Sequence, residues 1–220
     1  MDEVSGWSRL HGTDVSGNGL AVGWIKLVHR IARPLRKVPP DVLSLVGLLC
    51  AGGAVALARW PLLAAVLVVL AGLFDGVDGA VALVTNKARP LGALVDAVAD
   101  RLGDLAFIVV LFLLGAPAWL CAAVGALVML HEYVRARTQG LGMRGAGVVT
   151  VAERPTRVIV TAASCVGAAV SPGSGWVGAA IWGVLALVGG AQLVRAVVAE
   201  LGGQRWPTSG PAHQPGHDLR

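Results

Sequence analysis

The chain has 220 residues, of which 55% are apolar and only 14% charged, with a formal net charge of +5 and a mean hydropathy of +0.72. That balance excludes an ordinary water-soluble domain and marks a membrane protein. The positive charge then reads as an orientation signal, so nucleic acid is not an expected partner.

Residues 1–23 are polar and contain Gly and Ser, with no uninterrupted apolar core of the kind a signal peptide needs, and read as a flexible segment. Residues 24–38, "WIKLVHRIARPLRKV", place Trp24, Ile25, Val28, Ile31 and Leu35 at helical spacing against Lys26, His29, Arg30, Arg33 and Arg36. This predicts a basic amphipathic interfacial helix along the inner leaflet, bent or ended at Pro34. Pro39 and Pro40 then stiffen the entry to the first apolar run, with Asp41 suited to a helix N-terminus.

Six apolar runs follow, at about 42–58, 60–83, 91–114, 117–134, 156–171 and 176–199. At about 1.5 Å per helical residue they match the roughly 30 Å of a hydrocarbon core, the fifth being short. Cys50, Cys121 and Cys165 fall on three of these runs without metal or redox spacing and read as small core residues. The tail, 202–220, is polar and rich in Pro and Gly, which predicts disorder. The expected fold is therefore all-α: one polytopic membrane domain over 24–201, with six transmembrane helices preceded by the interfacial helix.

Cations alternate between the connections. Lys26, Arg30, Arg33, Arg36 and Lys37 precede the first run, Lys87 and Arg89 lie between the second and third, and Arg135, Arg137, Arg144, Arg154 and Arg157 between the fourth and fifth. The other turns carry only Arg59, beside Trp60, Trp119 and Trp176 as an outer belt. The pattern predicts a multi-pass protein of the cell membrane with both termini cytoplasmic.

Within the second and third runs, "FDGVDGAVALVTNKARPLGALVDAVAD" carries four aspartates. Asp75 and Asp78 are three apart, and Asp96 and Asp100 four apart, so each pair shares a helix face. If the helices run antiparallel about the "TNKARP" turn, all four lie at similar depth and can converge. An aspartate at a membrane centre costs roughly 2.5–3.5 kcal/mol, so four would cost on the order of 10 kcal/mol before their repulsion. Hard oxygen ligands facing a watery cavity suit Mg, Mn or Ca, and two divalent ions would balance four carboxylates. Gly72, Gly76 and Ala80 form a small-residue ridge for close helix approach. Gly79 and Gly92 flank the acids, so a flat or bulky ligand can reach the backbone there.

The series Asp75, Asp78, Gly79, Ala82, Gly92, Asp96 and Asp100, a DxxDGxxA followed by GxxxDxxxD, resembles the signature of the CDP-alcohol phosphatidyltransferases. The basic helix, the "PPDVLS" entry and the six-run layout are also similar, over about residues 24–200. The resemblance implies a homodimeric membrane enzyme of phospholipid biosynthesis that transfers a phosphatidyl group from CDP-diacylglycerol to an alcohol, releasing CMP. It implies two divalent cations, Mg or Mn, with Asp75, Asp78 and Asp96 as ligands, and Asp100 as both ligand and general base. Gly79, Ala82 and Gly92 would face the cytidine nucleotide. The chain departs from the pattern at Leu83, where the family usually has Arg; Arg89 and Arg101 are the nearby cations that would compensate, and Asp104 would pair with Arg101 or extend the acidic wall.

The segment from His131 to Val158 carries five arginines, a composition that suits a phosphorylated acceptor as well as orientation. Arg135, Arg137, Arg154 and Arg157 are the candidate acceptor ligands. "YVRAR" and "ERPTR" are similar to pieces of actinobacterial phosphatidylinositol phosphate synthases, which implies inositol phosphate as the leading acceptor, with glycerol phosphate, phosphatidylglycerol or a less familiar alcohol as alternatives. Glu132 stands where that subfamily commonly has serine, and a carboxylate there repels phosphate. Two other readings compete with the transferase: a divalent-cation transporter using the intramembrane aspartates as a relay, and a catalytically silent relative, suggested by Leu83.

Overall fold

The computed structural model describes residues 30–85, 89–143 and 150–202, leaving out the side chains of Leu83 and Val84. Among the described residues all regular structure is helical: α1 Pro40–Ala56, α2 Pro61–Val84, α3 Pro90–Leu113, α4 Ala118–Gly140, α5 Arg154–Ala168 and α6 Ser174–Leu201. Proline places most of the starts. Pro40, Pro61, Pro90 and Pro155 sit in the first turns of α1, α2, α3 and α5, and Pro117 is the N-cap of α4. A first-turn proline loses no helical hydrogen bond and has its φ already set.

Each predicted apolar run is thus a helix. Three of them, over Pro61–Ala82, Ala118–Gly140 and Ser174–Leu201, are long and apolar enough to cross a membrane. α1 is apolar but has 17 residues, α5 has 15, and α3 has the length but carries Asp96, Asp100, Arg101 and Asp104. α4 runs beyond the predicted end of its apolar stretch, where Glu132 and Arg135 find partners in the protein.

α1 packs along α2 and α3, α5 sits against α2, α3 and α6, and α4 lies against α6 and α3. α2 and α3 themselves meet over little of their length. The main core joins Val68, Phe107, Leu111, Val124, Cys165 and Trp182, all essentially inaccessible. Cys121 and Cys165 are buried and Cys50 half-buried, all three as free thiols. Outward-facing residues such as Leu62, Val66, Leu105, Leu187 and Val194 are exposed, an apolar surface suited to lipid. Trp60, Trp119 and Trp176 are also exposed, and the Arg59 guanidinium stacks 4.0 Å over the Trp60 ring.

A second apolar cluster holds the segment before α1. Ala32 is fully buried with Leu43, Val77, Ala80 and Val81, and Ile31, Leu35 and Val38 pack against them. Residues 30–32 are helical and the chain then turns through Pro34, so this part of the predicted interfacial helix docks on α2. Residues 24–29, the flexible segment 1–23 and the tail from 203 lie outside the described residues. The small-residue ridge serves two neighbours: a Cβ at Gly72 would come within 2.6 Å of Val158 on α5, whereas Ala80 meets the docked segment.

Candidate active site

α2 and α3 make few contacts with each other, yet their acidic faces come together. One carboxylate oxygen each from Asp75, Asp96 and Asp100 lies within 4.8 Å of the others, and all three residues are half-buried. Oxygens held at about 2.0–2.6 Å from a common ion lie up to about 5 Å apart, so this donor set fits a hard divalent cation. Asp78 stands alongside. It is buried, accepts a short hydrogen bond from the Ser44 hydroxyl of α1 and one of 2.5 Å from the Gly79 N–H, and faces Asp96. Three of the four predicted ligands therefore form one cluster, and the fourth is aimed by Ser44 at its edge.

The predicted nucleotide residues divide. Gly79 is exposed with open space where a side chain would stand, and Ala82 is half-buried one turn on. Gly92 lies by the Asp41–Arg89 ion pair, where a Cβ would come within 3.4 Å of both side chains. Arg89 is thereby engaged with Asp41, and the Leu83 side chain lies outside the described residues.

Four arginines adjoin the acids. Arg154 joins the cluster itself: Nη1 donates to Asp100 Oδ1 at 2.5 Å and to the Asp100 carbonyl at 3.0 Å, and Nη2 lies 3.1 Å from Asp75. Its guanidinium rests on Gly103, where a Cβ would come within 2.9 Å of Nη2. Arg157 is buried and donates to Asp104 at 2.5 Å, Glu132 at 3.0 Å and the Ala152 carbonyl at 2.8 Å. Arg101 lies 3.2 Å from both Asp104 and Glu132 and 3.7 Å from Asp100. Arg135 lies 2.8 Å from Glu153 and 3.9 Å from Glu132. Of the predicted acceptor ligands, Arg154 is thus at the carboxylates, Arg135 and Arg157 belong to an internal ion network, and Arg137 is exposed on the last turns of α4. Arg144 lies outside the described residues.

Glu153, just before α5, ties this network to its loop by accepting from Arg135 and from the N–H and hydroxyl of Thr150. Burial opposes its ionisation, but the Arg135 guanidinium and the Thr150 donors outweigh it and hold the carboxyl below the usual glutamate value.

Ser44, Glu153 and Gly103 escaped the reading of the sequence. Ser44 faces Asp78 across 34 residues of chain, and no spacing rule links the two. Of the two alternatives for Asp104, pairing with Arg101 or extending the acidic wall, the first is found, yet its shorter bond is to Arg157.

Comparisons with known proteins bear on the family and the fold. A family profile described as CDP-alcohol phosphatidyltransferase matches residues 37–188. The chain is 30% identical over 142 residues to the archaetidylinositol phosphate synthase of Aeropyrum pernix, covering 61% of this chain and 72% of that protein. It is 32% identical over 148 residues to the phosphatidylinositol phosphate synthase of Mycolicibacterium smegmatis, covering 60% and 65%. The fold is similar to the Mycobacterium tuberculosis phosphatidylinositol phosphate synthase crystallised with CDP-DAG bound, with a TM-score of 0.67 at 26% identity over 83% of this chain and 99% of that one. A second structure of that enzyme, in complex with manganese and citrate, gives a TM-score of 0.66 at 26% identity, covering 82% and 93%. With the profile spanning more than half of its length, from α1 into α6, the chain belongs to the CDP-alcohol phosphatidyltransferase family.

Proposed function

We propose that this protein transfers the phosphatidyl group of CDP-diacylglycerol to the hydroxyl of inositol phosphate, releasing CMP, within a membrane domain that crosses the bilayer six times with both ends cytoplasmic. The observation that carries the proposal is the convergence of Asp75, Asp96 and Asp100 from two helices beside the open face of Gly79. The acceptor is supported by the relatives, whose names share an inositol phosphate product although their lipid halves differ. Family membership supports a transferase and not a cation transporter.

The residues divide the work. Asp75, Asp78, Asp96 and Asp100 would hold two divalent cations, magnesium or manganese, which when bound offset the charge of the diphosphate and of the departing CMP. Gly79 leaves the backbone open to the cytidine nucleotide, with Ala82 one turn on and Gly92 across from them beside the Asp41–Arg89 pair. The acceptor oxygen forms a bond to the phosphorus carrying the diacylglycerol, the bond from that phosphorus to CMP breaks, and CMP leaves with the electron pair. Asp100 takes the proton of the attacking hydroxyl. Arg154, held by Asp75 and Asp100, is the guanidinium at the carboxylate cluster and would offer its donors to a phosphate bound there.

The test is CMP release from CDP-diacylglycerol by the purified protein with inositol phosphate and magnesium. Asp100→Asn removes the base and is expected to lower the rate at least about 10²-fold. Folded wild-type protein that releases no CMP with any alcohol or phospho-alcohol would defeat the proposal. Activity without a Leu83→Arg change rules out a silent relative.

A further inference from the structure

We propose that Glu132 is a resident anion that competes with the acceptor's phosphate for the arginine cluster, and so sets how strongly this enzyme prefers a phosphorylated alcohol. A single oxygen, Glu132 Oε1, lies 3.0 Å from Arg157 Nη2, 3.2 Å from Arg101 Nη1 and 3.9 Å from Arg135 Nη1. Guanidinium groups from three helices, α3, α4 and α5, therefore surround one carboxylate oxygen, the arrangement that arginines make around a phosphate. Glu132 occupies it with a single charge carried on the protein.

Two further observations place the competition at the site. The other ends of the arginines are taken by Asp104 and Glu153, so every guanidinium of the cluster already has a carboxylate. Arg101 Nη1 is nevertheless buried without an aligned hydrogen-bond acceptor, a donor that a better-shaped anion would satisfy. Glu132 keeps 21% of its side chain accessible and is linked through Arg101 to Asp100. An incoming phosphate thus meets a negative oxygen where it would place its own, and gains the arginine donors only as Glu132 gives them up.

This role rests on the transfer reaction proposed above, and inorganic phosphate separates the two. Full-length wild type and Glu132→Gln are compared in magnesium buffer by calorimetry with inorganic phosphate, and by CMP release for the KM values of inositol phosphate and inositol. Glutamine keeps the size and one acceptor oxygen but removes the charge. Phosphate affinity is expected to rise, and the KM for inositol phosphate to fall, by about tenfold or more in this partly buried setting. The KM values for inositol and CDP-diacylglycerol should stay within about twofold, a split that general loosening of the helices would not produce. Glu132→Asp, which withdraws the charge by one methylene and keeps it, should give a smaller change of the same sign and serves if the glutamine variant does not fold. Phosphate affinity that is unchanged or weaker in a folded variant overturns the role of Glu132. Tighter phosphate binding without turnover of inositol phosphate by any form upholds that role and removes inositol phosphate as the acceptor.

Discussion

Asp104 and Arg157 form the most enclosed charge pair among the described residues, with side chains 0% and 4% exposed. Asp104 depends on Arg157 and Arg101 for its compensation, whereas Arg157 also serves Glu132 and the Ala152 carbonyl. Removing one partner leaves a desolvated charge, which costs far more than the intact pair contributes. Arg157→Met is therefore expected to destabilise the protein by about 3–5 kcal/mol, while Asp104→Leu with Arg157→Met should recover most of that loss. Thermal unfolding of the two singles and the double in detergent gives the coupling; equal losses in Arg157→Met and the double would show that packing, not charge, holds α5 to α3. The contrast between acids and arginines shows what a sequence conveys at this scale. Asp75 to Asp100 were legible because spacings of three and four fix a helix face whatever surrounds it. The arginines were not, because which carboxylate a guanidinium reaches depends on which helices become neighbours. Composition offered them phosphate or membrane orientation, and for Arg135 and Arg157 the fold supplied a third use, in an internal network.

Among the helices, apolar length made all six segments readable to within a few residues, except at the C-terminal end of α4. Hidden from view were the approaches, since a glycine in an apolar run looks the same whether it faces lipid or another backbone. Gly175, in the first turn of α6, shows the difference. A Cβ there would overlap the Leu111 carbonyl oxygen and come within 2.7 Å of the Leu114 carbonyl carbon, both backbone atoms at the end of α3. Gly178, one turn on, would in the same way overlap the Ser164 hydroxyl of α5. A side-chain clash relaxes by rotation, but a backbone clash moves the helix. Gly175→Ala is accordingly expected to lower stability by about 1–3 kcal/mol as α6 is pushed off α3. Gly52→Ala, on α1 with nothing within 4 Å of the added carbon, should be neutral or stabilise by up to about 1 kcal/mol through helix propensity. Matching unfolding temperatures for the two variants would show that α6 is free to shift and that its close approach is not what seats it.

For the molecule as a whole the question is how a helix with four ionisable residues comes to lie within a membrane domain. Taken singly, Asp96, Asp100, Arg101 and Asp104 would each cost roughly 2.5–3.5 kcal/mol at the bilayer centre, and on apolarity alone α3 would stay out. In the folded chain those charges face inward. Asp100, Arg101 and Asp104 pair with one another or with α5, and Asp96 faces Asp78 and Asp100 in the acid cluster. Leu94, Val98, Leu102 and Leu105 meanwhile point outward. The charges are desolvated only together with their partners, so α3 can cross once α2 and α5 are beside it. The proposed orientation rests on its two ends, with Arg89 at the start of α3 expected on the cation-rich side and Trp119, just past its end, on the opposite one. In a background with Cys50, Cys121 and Cys165 replaced by alanine, Trp60→Cys and Trp119→Cys should react with an impermeant thiol reagent added outside intact cells. Arg89→Cys and Arg137→Cys should react only after permeabilisation. Labelling of Trp119→Cys from the inside alone would mean that α3 does not cross, and its acids would then meet the Asp75–Asp78 face from the membrane surface instead of from within.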